Sequence, residues 1–307
     1  MTAAPPDALL DSADASEIAT RRPNAPAATE NPSHREPLVI EPAGRFPKLG
    51  AKELWSYRGL LIFLVWRDLK VRYAQTVLGA GWAIIQPVLT MVIFTVVFGR
   101  FAKVPSDGVP YPVFSLAALV PWTYFATAFA GASNSLVAST NLITKIYFPR
   151  LVIPFAPVVG SLVDFLIAFV ILLATMAFYH IAPSMSAVLL VPLLVAAMVL
   201  TSAGVGCWLA ALNIKYRDIK YVVPFLVQIW LYASPVAYPM SVVPARFRVL
   251  YAINPMAGVI EGFRSVLLHT SAVPWPMIGF SLLSGVVLFV TGVYYFRATE
   301  RVFADVA

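Results

Sequence analysis

The sequence predicts an all-α integral membrane protein with six transmembrane helices. Two observations carry that expectation. The chain has 307 residues, of which 60% are hydrophobic and 12% charged. A soluble domain carries about 25% charge, so the bilayer is the expected solvent for most of this chain. Six separate segments also come close to or exceed the ~20 apolar residues that cross a hydrocarbon core. Backbone amides find no water there, so such segments must be helical. The net charge of +7 is spread over turns and tails. It reads as topology and attraction to anionic lipid, with no nucleic-acid partner. Cys207 is the one cysteine, which excludes an internal disulfide and a cysteine metal cluster.

Residues 1–50 stand apart. They are rich in Ala, Pro, Asp, Glu and Arg and poor in aromatics. They bury too little apolar surface to offset ordering entropy and are expected to form a disordered cytoplasmic tail. No signal-peptide core lies within them. Residues 51–76 read as an amphipathic interfacial helix. Within Leu54–Tyr73 the apolar run Leu60–Trp66 is seven residues, too short to cross, and Arg67, Asp68, Lys70 and Arg72 follow at once. Trp55, Tyr57, Trp66 and Tyr73 suit headgroup depth. The pattern has a flaw, because Arg58 and Arg72 share a face with Leu61 and Val65. The competing reading is an ordinary basic flank of the first span.

Residues 77–298 hold the spans: Val77–Phe98, Val113–Val137, Val152–Tyr179, Ala187–Leu212, Tyr221–Tyr238 and Met277–Phe296. Pro87, Pro121, Pro224 and Pro235 fall inside them, where neighbours or water must satisfy the freed carbonyls. Six spans place both termini on one side. With that side inside, the inner flanks hold Arg58, Arg67, Lys70, Arg72, Lys145, Arg150, Lys215, Arg217, Lys220, Arg297 and Arg301. The outer loops hold Arg100, Lys103, Arg246, Arg248 and Arg264. Eleven against five predicts cytoplasmic termini. Residues 299–307 are then a short cytoplasmic tail.

Asn254–His269 has the clearest pattern in the chain. Asn254 suits a helix cap and Pro255 the first helical position. Met256, Val259, Ile260, Phe263 and Leu267 fall on one face, with Gly258, Glu261, Gly262 and Ser265 opposite. The glycines would admit another helix closely, and Glu261 and Arg264 are spaced to pair. Too short to span, this helix should dip into the membrane and return or lie flat on the outer surface. It reads as a gate or as a structural plug.

Two inner loops are basic. In Asn141–Arg150, Ile143, Ile146, Tyr147 and Phe148 accompany Lys145 and Arg150. A short amphipathic helix pressed into a soluble partner would explain that mixture, and so would burial at the membrane surface. Asn213–Lys220 is a charged turn in which Arg217 and Asp218 can pair. Asp164 is the one acid well inside a span. Such a group is a functional candidate by default, but no proton relay accompanies it, and a structural hydrogen bond is the better reading. Trp82, Tyr124, Phe125, Phe129, Trp230 and Tyr232 lie within spans. Aromatic rings could line a passage for sugars, or form the interfacial belt and packing. His34, His180 and His269 have no metal-ligand spacing, and Gly44–Lys52 is mis-spaced for a phosphate loop. No catalytic or metal site is expected. Directional work would need energy from a separate protein.

The chain resembles the permease subunit of bacterial ABC exporters of polysaccharide, of the O-antigen, capsule or teichoic-acid type. The marks, between about residues 50 and 300, are Arg67–Tyr73, Leu78–Trp82 with Gln86-Pro87, Asn141–Arg150, Leu162–Asp164, Asn213–Asp218, Ala233–Pro235 and Asn254–Arg264. The order and spacing of these pieces make the match specific. The resemblance implies a homodimer in the bacterial cytoplasmic membrane, two copies of an ATPase subunit that binds ATP and Mg, and a lipid-linked polysaccharide substrate. It implies that this chain is a transport subunit with no bound cofactor. It implies an interfacial helix before the first span and short re-entrant outer helices before the last, with Val243–Leu250 a candidate for the second.

On that resemblance, Arg67, Lys70 and Arg72 would contact the lipid pyrophosphate. Leu142, Lys145, Ile146, Tyr147, Phe148 and Arg150, with Tyr216, Arg217 and Asp218, would couple to the ATPase. Asn254, Pro255, Glu261 and Arg264 would form an outer gate. An ABC permease for a drug or small lipid is an alternative, disfavoured by the short outer loops. A membrane-bound lipid-linked glycosyl- or acyltransferase would need converging acids or histidines, and a passive channel leaves the coupling-like loop unexplained.

Overall fold

The computed structural model describes residues 55–74, 79–143, 145, 148–216 and 218–300. The expected tail of residues 1–50, the start of the first span at Val77 and the end of the C-terminal tail from residue 301 lie outside them. Every regular element among the described residues is helical. Helix α1 is Arg58–Ala74. Helix α2, Trp82–Phe94, continues as a π-helical stretch through Thr95–Phe101. The long helices α3, Tyr111–Ala138, α5, Val152–Phe178, and α6, Ala187–Lys215, follow, with the single turn α4, Thr140–Ile143, between the first two. Then come α7, Ile219–Tyr232, α8, Ala245–Ile253, α9, Pro255–Leu268, and α10, Trp275–Thr299.

Five of these are long and apolar enough to cross a bilayer: the α2 stretch Trp82–Phe101, α3, α5, α6 and α10. The expected fifth span is shorter than the sequence suggested. Its 14-residue helix α7 ends at Tyr232, about 21 Å at 1.5 Å per residue. Ala233, Val236 and Ala237 keep the hydropathy high, but Pro235 ends the helix and the chain turns there. At the other boundary α6 runs on to Lys215, so Asn213 belongs to a helix and not to the charged turn.

Proline placement explains several helix starts. Pro112, Pro255 and Pro276 sit in the first turns of α3, α9 and α10, where the missing N–H has no intrahelical partner to lose. Helix α3 is the centre of the bundle, with Phe114, Leu116, Phe125, Phe129 and Leu136 fully buried. Helices α5 and α6 flank it, α10 packs on α6, and α9 is enclosed by α3, α6 and α10. The α6–α10 crossing is close because it has no side chains at its centre. A Cβ on Gly204 would lie 2.5 Å from the main-chain carbon of Leu288, and one on Gly292 would strike the carbonyl oxygen of Gly204. Small residues at a crossing are how membrane helices gain dispersion contact.

Candidate functional site

The segment joining α7 to α9 returns to its own starting point, and two side chains hold it there. Asn254 caps α9 by accepting from the Met256 N–H at 3.0 Å. The same oxygen accepts from Trp230 Nε1 at 2.9 Å. Its amide nitrogen donates to the Ala233 carbonyl at 3.1 Å and to Ser234 Oγ at 2.9 Å. Arg264 is 1% exposed. Its guanidinium donates to the carbonyls of Pro235 (2.7 Å), Val236 (2.7 Å) and Tyr238 (3.0 Å). The planar fork suits several acceptors at once. Its other side rests on the Phe114 ring, 3.7 Å from the centroid. Burial lowers the Arg264 pKa to about 10, against the pull of Glu261, so it stays a cation at neutral pH. Tyr111 donates to the Ala237 carbonyl and Tyr238 bonds Tyr251, closing the same turn.

Glu261 and Arg264 do not form the expected pair. Arg264 is taken by the carbonyls of the turn, while Glu261 lines a cavity and its Oε2 has no partner. Burial raises the Glu261 pKa, with Asp107 adding to the effect and Arg264, Ser271 and Arg248 opposing it. The glycine face behaves as the pattern implied. A Cβ on Gly258 would lie 2.5 Å from the Met277 carbonyl oxygen of α10, and one on Gly262 would press on Leu194 of α6. All 14 residues of α9 are buried, so this helix is enclosed by its neighbours.

Helix α1 lies along the first turns of α5. Leu64 packs on Val152 and Ala156, and Val65 faces Gly160. Further along, Arg72 forms an ion pair with Asp164, and the Tyr73 hydroxyl donates to the same carboxylate. One half of the apparent flaw in the α1 pattern is therefore a docking contact: Arg72 shares the face of Leu61 and Val65 because that face meets α5, whereas Arg58 turns back to the Trp55 carbonyl. Asp164 is less buried than expected, its side chain 28% exposed. Burial and the bond to Asp164 raise the Tyr73 pKa to about 12. Arg67 pairs with Asp68, and Lys70 lies over the Trp66 ring.

In the loop before α5, Ile146 and Tyr147 lie outside the described residues, as does Arg217 of the charged turn. Ile143 and Phe148 are enclosed by this chain's own residues. Both are buried against Leu136, Leu151 and Phe296, with Leu142 packed beside them. Arg150 is held by Glu300 at the end of α10. Lys145, Tyr216 and Asp218 are exposed.

The aromatic set divides. Tyr124, Phe125 and Phe129 are buried inside this chain, Phe125 and Phe129 against Trp230 and Tyr124 edge-on to Phe165. They line no surface of the single chain. Trp82 and Tyr232 are exposed. Sequence reasoning missed Phe114, Tyr111, Tyr238 and Tyr251 as parts of the α7–α9 connection. Only the prolines at 235 and 239 signalled that a turn needing outside partners lay there. Among the described residues, no three His, Cys, Asp or Glu side chains come together as a metal site.

A family model described as ABC-2 type transporter matches residues 59–268. The chain is similar to the O-antigen export system permease protein RfbA of Myxococcus xanthus, 30% identical over 83% of this chain and 97% of that protein. An RfbA of Klebsiella pneumoniae is 28% identical over 80% of this chain and 94% of its own length. The polysialic acid transport protein KpsM of Escherichia coli is 23% identical over 66% of this chain and 78% of its own.

Proposed function

Because the chain belongs to the ABC-2 type transporter family, we propose that it is the membrane subunit of an ATP-driven exporter of lipid-linked polysaccharide. It is a multi-pass membrane protein. Relatives named for O-antigen export and polysialic acid transport support the substrate class. The observation that carries a transport role is the buried connection of α7 to α9. A short helix enclosed by α3, α6 and α10 and tied to a turn by one arginine and one asparagine is suited to closing one end of the bundle.

In this reading the termini are cytoplasmic, the α7–α9 connection faces outward, and two copies pair. The buried aromatics leave no room for a sugar within one chain, so the passage runs between copies. Helix α7 is the surface best suited to it. Its Tyr221, Phe225 and Tyr232 are exposed, and a helix too short to span cannot satisfy its ends in lipid alone. Two ATPase subunits would dock where Lys145, Tyr216 and Asp218 are exposed, at the end opposite the closure. With Ile143 and Phe148 buried, force on that loop would reach α3, α6 and α10 directly. ATP and Mg would be bound by those partners, and this chain would have no cofactor of its own. Arg67 and Lys70 would meet the lipid pyrophosphate. Arg72 would do so only by leaving Asp164.

The reading is tested by deleting the gene and measuring surface polysaccharide with its lipid-linked precursor. Surface polymer should vanish while precursor accumulates inside, and the full-length chain should restore both only with its ATPase present. Normal surface polymer in the deletion strain would refute it. For the headgroup contact, Arg67→Ala with Lys70→Ala is the cleaner variant, since changing Arg72 also unties α1 from α5.

A further inference from the structure

Beside α9 lies a cavity of about 660 Å³, within the size range of small-molecule sites, about 300–1,000 Å³. It opens where the loops before α3, after α7 and after α9 meet. Its wall is mostly apolar, with Met240, Met277 and Phe280 among the lining residues. Two polar atoms in that wall have no partner, although Ser271 lies within hydrogen-bonding reach of the Glu261 carboxyl group. Glu261 is 7% exposed, and its Oε2 makes no hydrogen bond. Thr270 Oγ1 is buried and equally unpartnered. The neighbouring polar groups are engaged elsewhere: Ser241 donates to Asp107, and Arg248 Nε to the Val243 carbonyl. Most buried polar atoms in folded proteins are satisfied, so two orphans facing one cavity point to a ligand that supplies the missing groups.

We propose that this cavity is a sugar-binding pocket, in which Glu261 and Thr270 bond the hydroxyls of a glycosyl unit and the Met240–Phe280 wall covers its C–H face. A lipid acyl chain would fit the apolar wall but would leave both orphans unmet at about 1–3 kcal/mol each. A metal ion would want more ligands than the cavity offers, since among the described residues no three His, Cys, Asp or Glu side chains come together. A sugar ring presents apolar C–H faces edged with hydroxyls, which matches both surfaces. Glu261 Oε2 can accept from one hydroxyl, and Thr270 Oγ1 can donate to or accept from another. The pocket shares Glu261 with the buried helix α9, so an occupant would touch the closure itself. The inference rests on the export reading only for the source of the sugar.

The test uses the full-length chain in phospholipid nanodiscs and short oligosaccharides released by mild acid from the host's own surface polysaccharide. Saturation-transfer NMR should show contact at ring C–H protons. Thr270→Val should weaken binding about tenfold, and Glu261→Leu should abolish it. Should Glu261→Leu fail to fold, Thr270→Val carries the test. Absence of saturation transfer, binding unchanged by these variants, or a phospholipid held in the cavity in native mass spectra would each overturn the proposal. Export restored in the deletion strain without oligosaccharide binding would sink the pocket and leave transport standing. Binding without restored export would do the reverse.

Discussion

Replacing Arg264 with alanine would leave the carbonyls of Pro235, Val236 and Tyr238 without their donor in an apolar setting. The expected loss is about 3 kcal/mol or more, read as a lower melting temperature of the detergent-solubilised chain. Arg264→Lys should recover little, because one ammonium cannot hold three acceptors spread across a turn. Wild-type melting of the alanine variant would mean that the turn holds itself. Glu261 works in the opposite sense. Burial raises its pKa above 4.5, so the folded state holds the proton more tightly than the unfolded one. Its stabilising contribution is complete below about pH 4.5 and is lost as pH rises through the folded value. Glu261→Gln should flatten that part of the melting-against-pH curve, and an unchanged slope would assign it to another group. Asn254 was legible as a cap because capping is local, two residues from its partner. The destination of Arg264 was not, because its acceptors are main-chain atoms 26 to 29 residues away that leave no mark on side-chain pattern.

The crossing of α6 and α10 makes a prediction of its own. Gly292→Ala would place a methyl group against the Gly204 carbonyl and should cost about 1–3 kcal/mol. Gly279, with nothing within 4 Å of an added Cβ, should accept alanine without loss. Equal melting of the two variants would show that the crossing can open without penalty. The boundaries of the long helices were readable because apolar composition continues for 25 to 29 residues in α3, α5, α6 and α10. The length of α7 was not, since hydropathy cannot tell an apolar helix from an apolar turn. The same limit applies to Ile143 and Phe148. A loop residue that plugs the bundle and one that greets a partner look alike in composition, and only the packing on Leu136 and Phe296 separates them.

Across the whole chain, large apolar side chains cover the outside of α2, α5, α7 and α10, with Ile93, Leu166, Phe225 and Leu283 all more than half exposed. Lipid satisfies most of that surface, and the short α7 is the part proposed to meet a second copy. Cys207 is buried and 1% exposed, so it stays silent in cross-linking. With α7 at the two-fold axis, where a residue meets its own copy, Tyr232→Cys should give disulfide-linked dimers in oxidised membranes. Met185→Cys, on a loop and 92% exposed, should not. Only monomer from Tyr232→Cys would place that end of α7 away from the axis. The bonds from Asn254 to Ala233 and Ser234 have one more consequence. They make residues 235–253 a ring closed at its base, so added length at its rim does not loosen the bundle. Doubling such a loop costs only about 0.6 kcal/mol. The exposed residues Val242 and Pro244 mark a place where an antibody tag can be threaded into a membrane protein without undoing its fold.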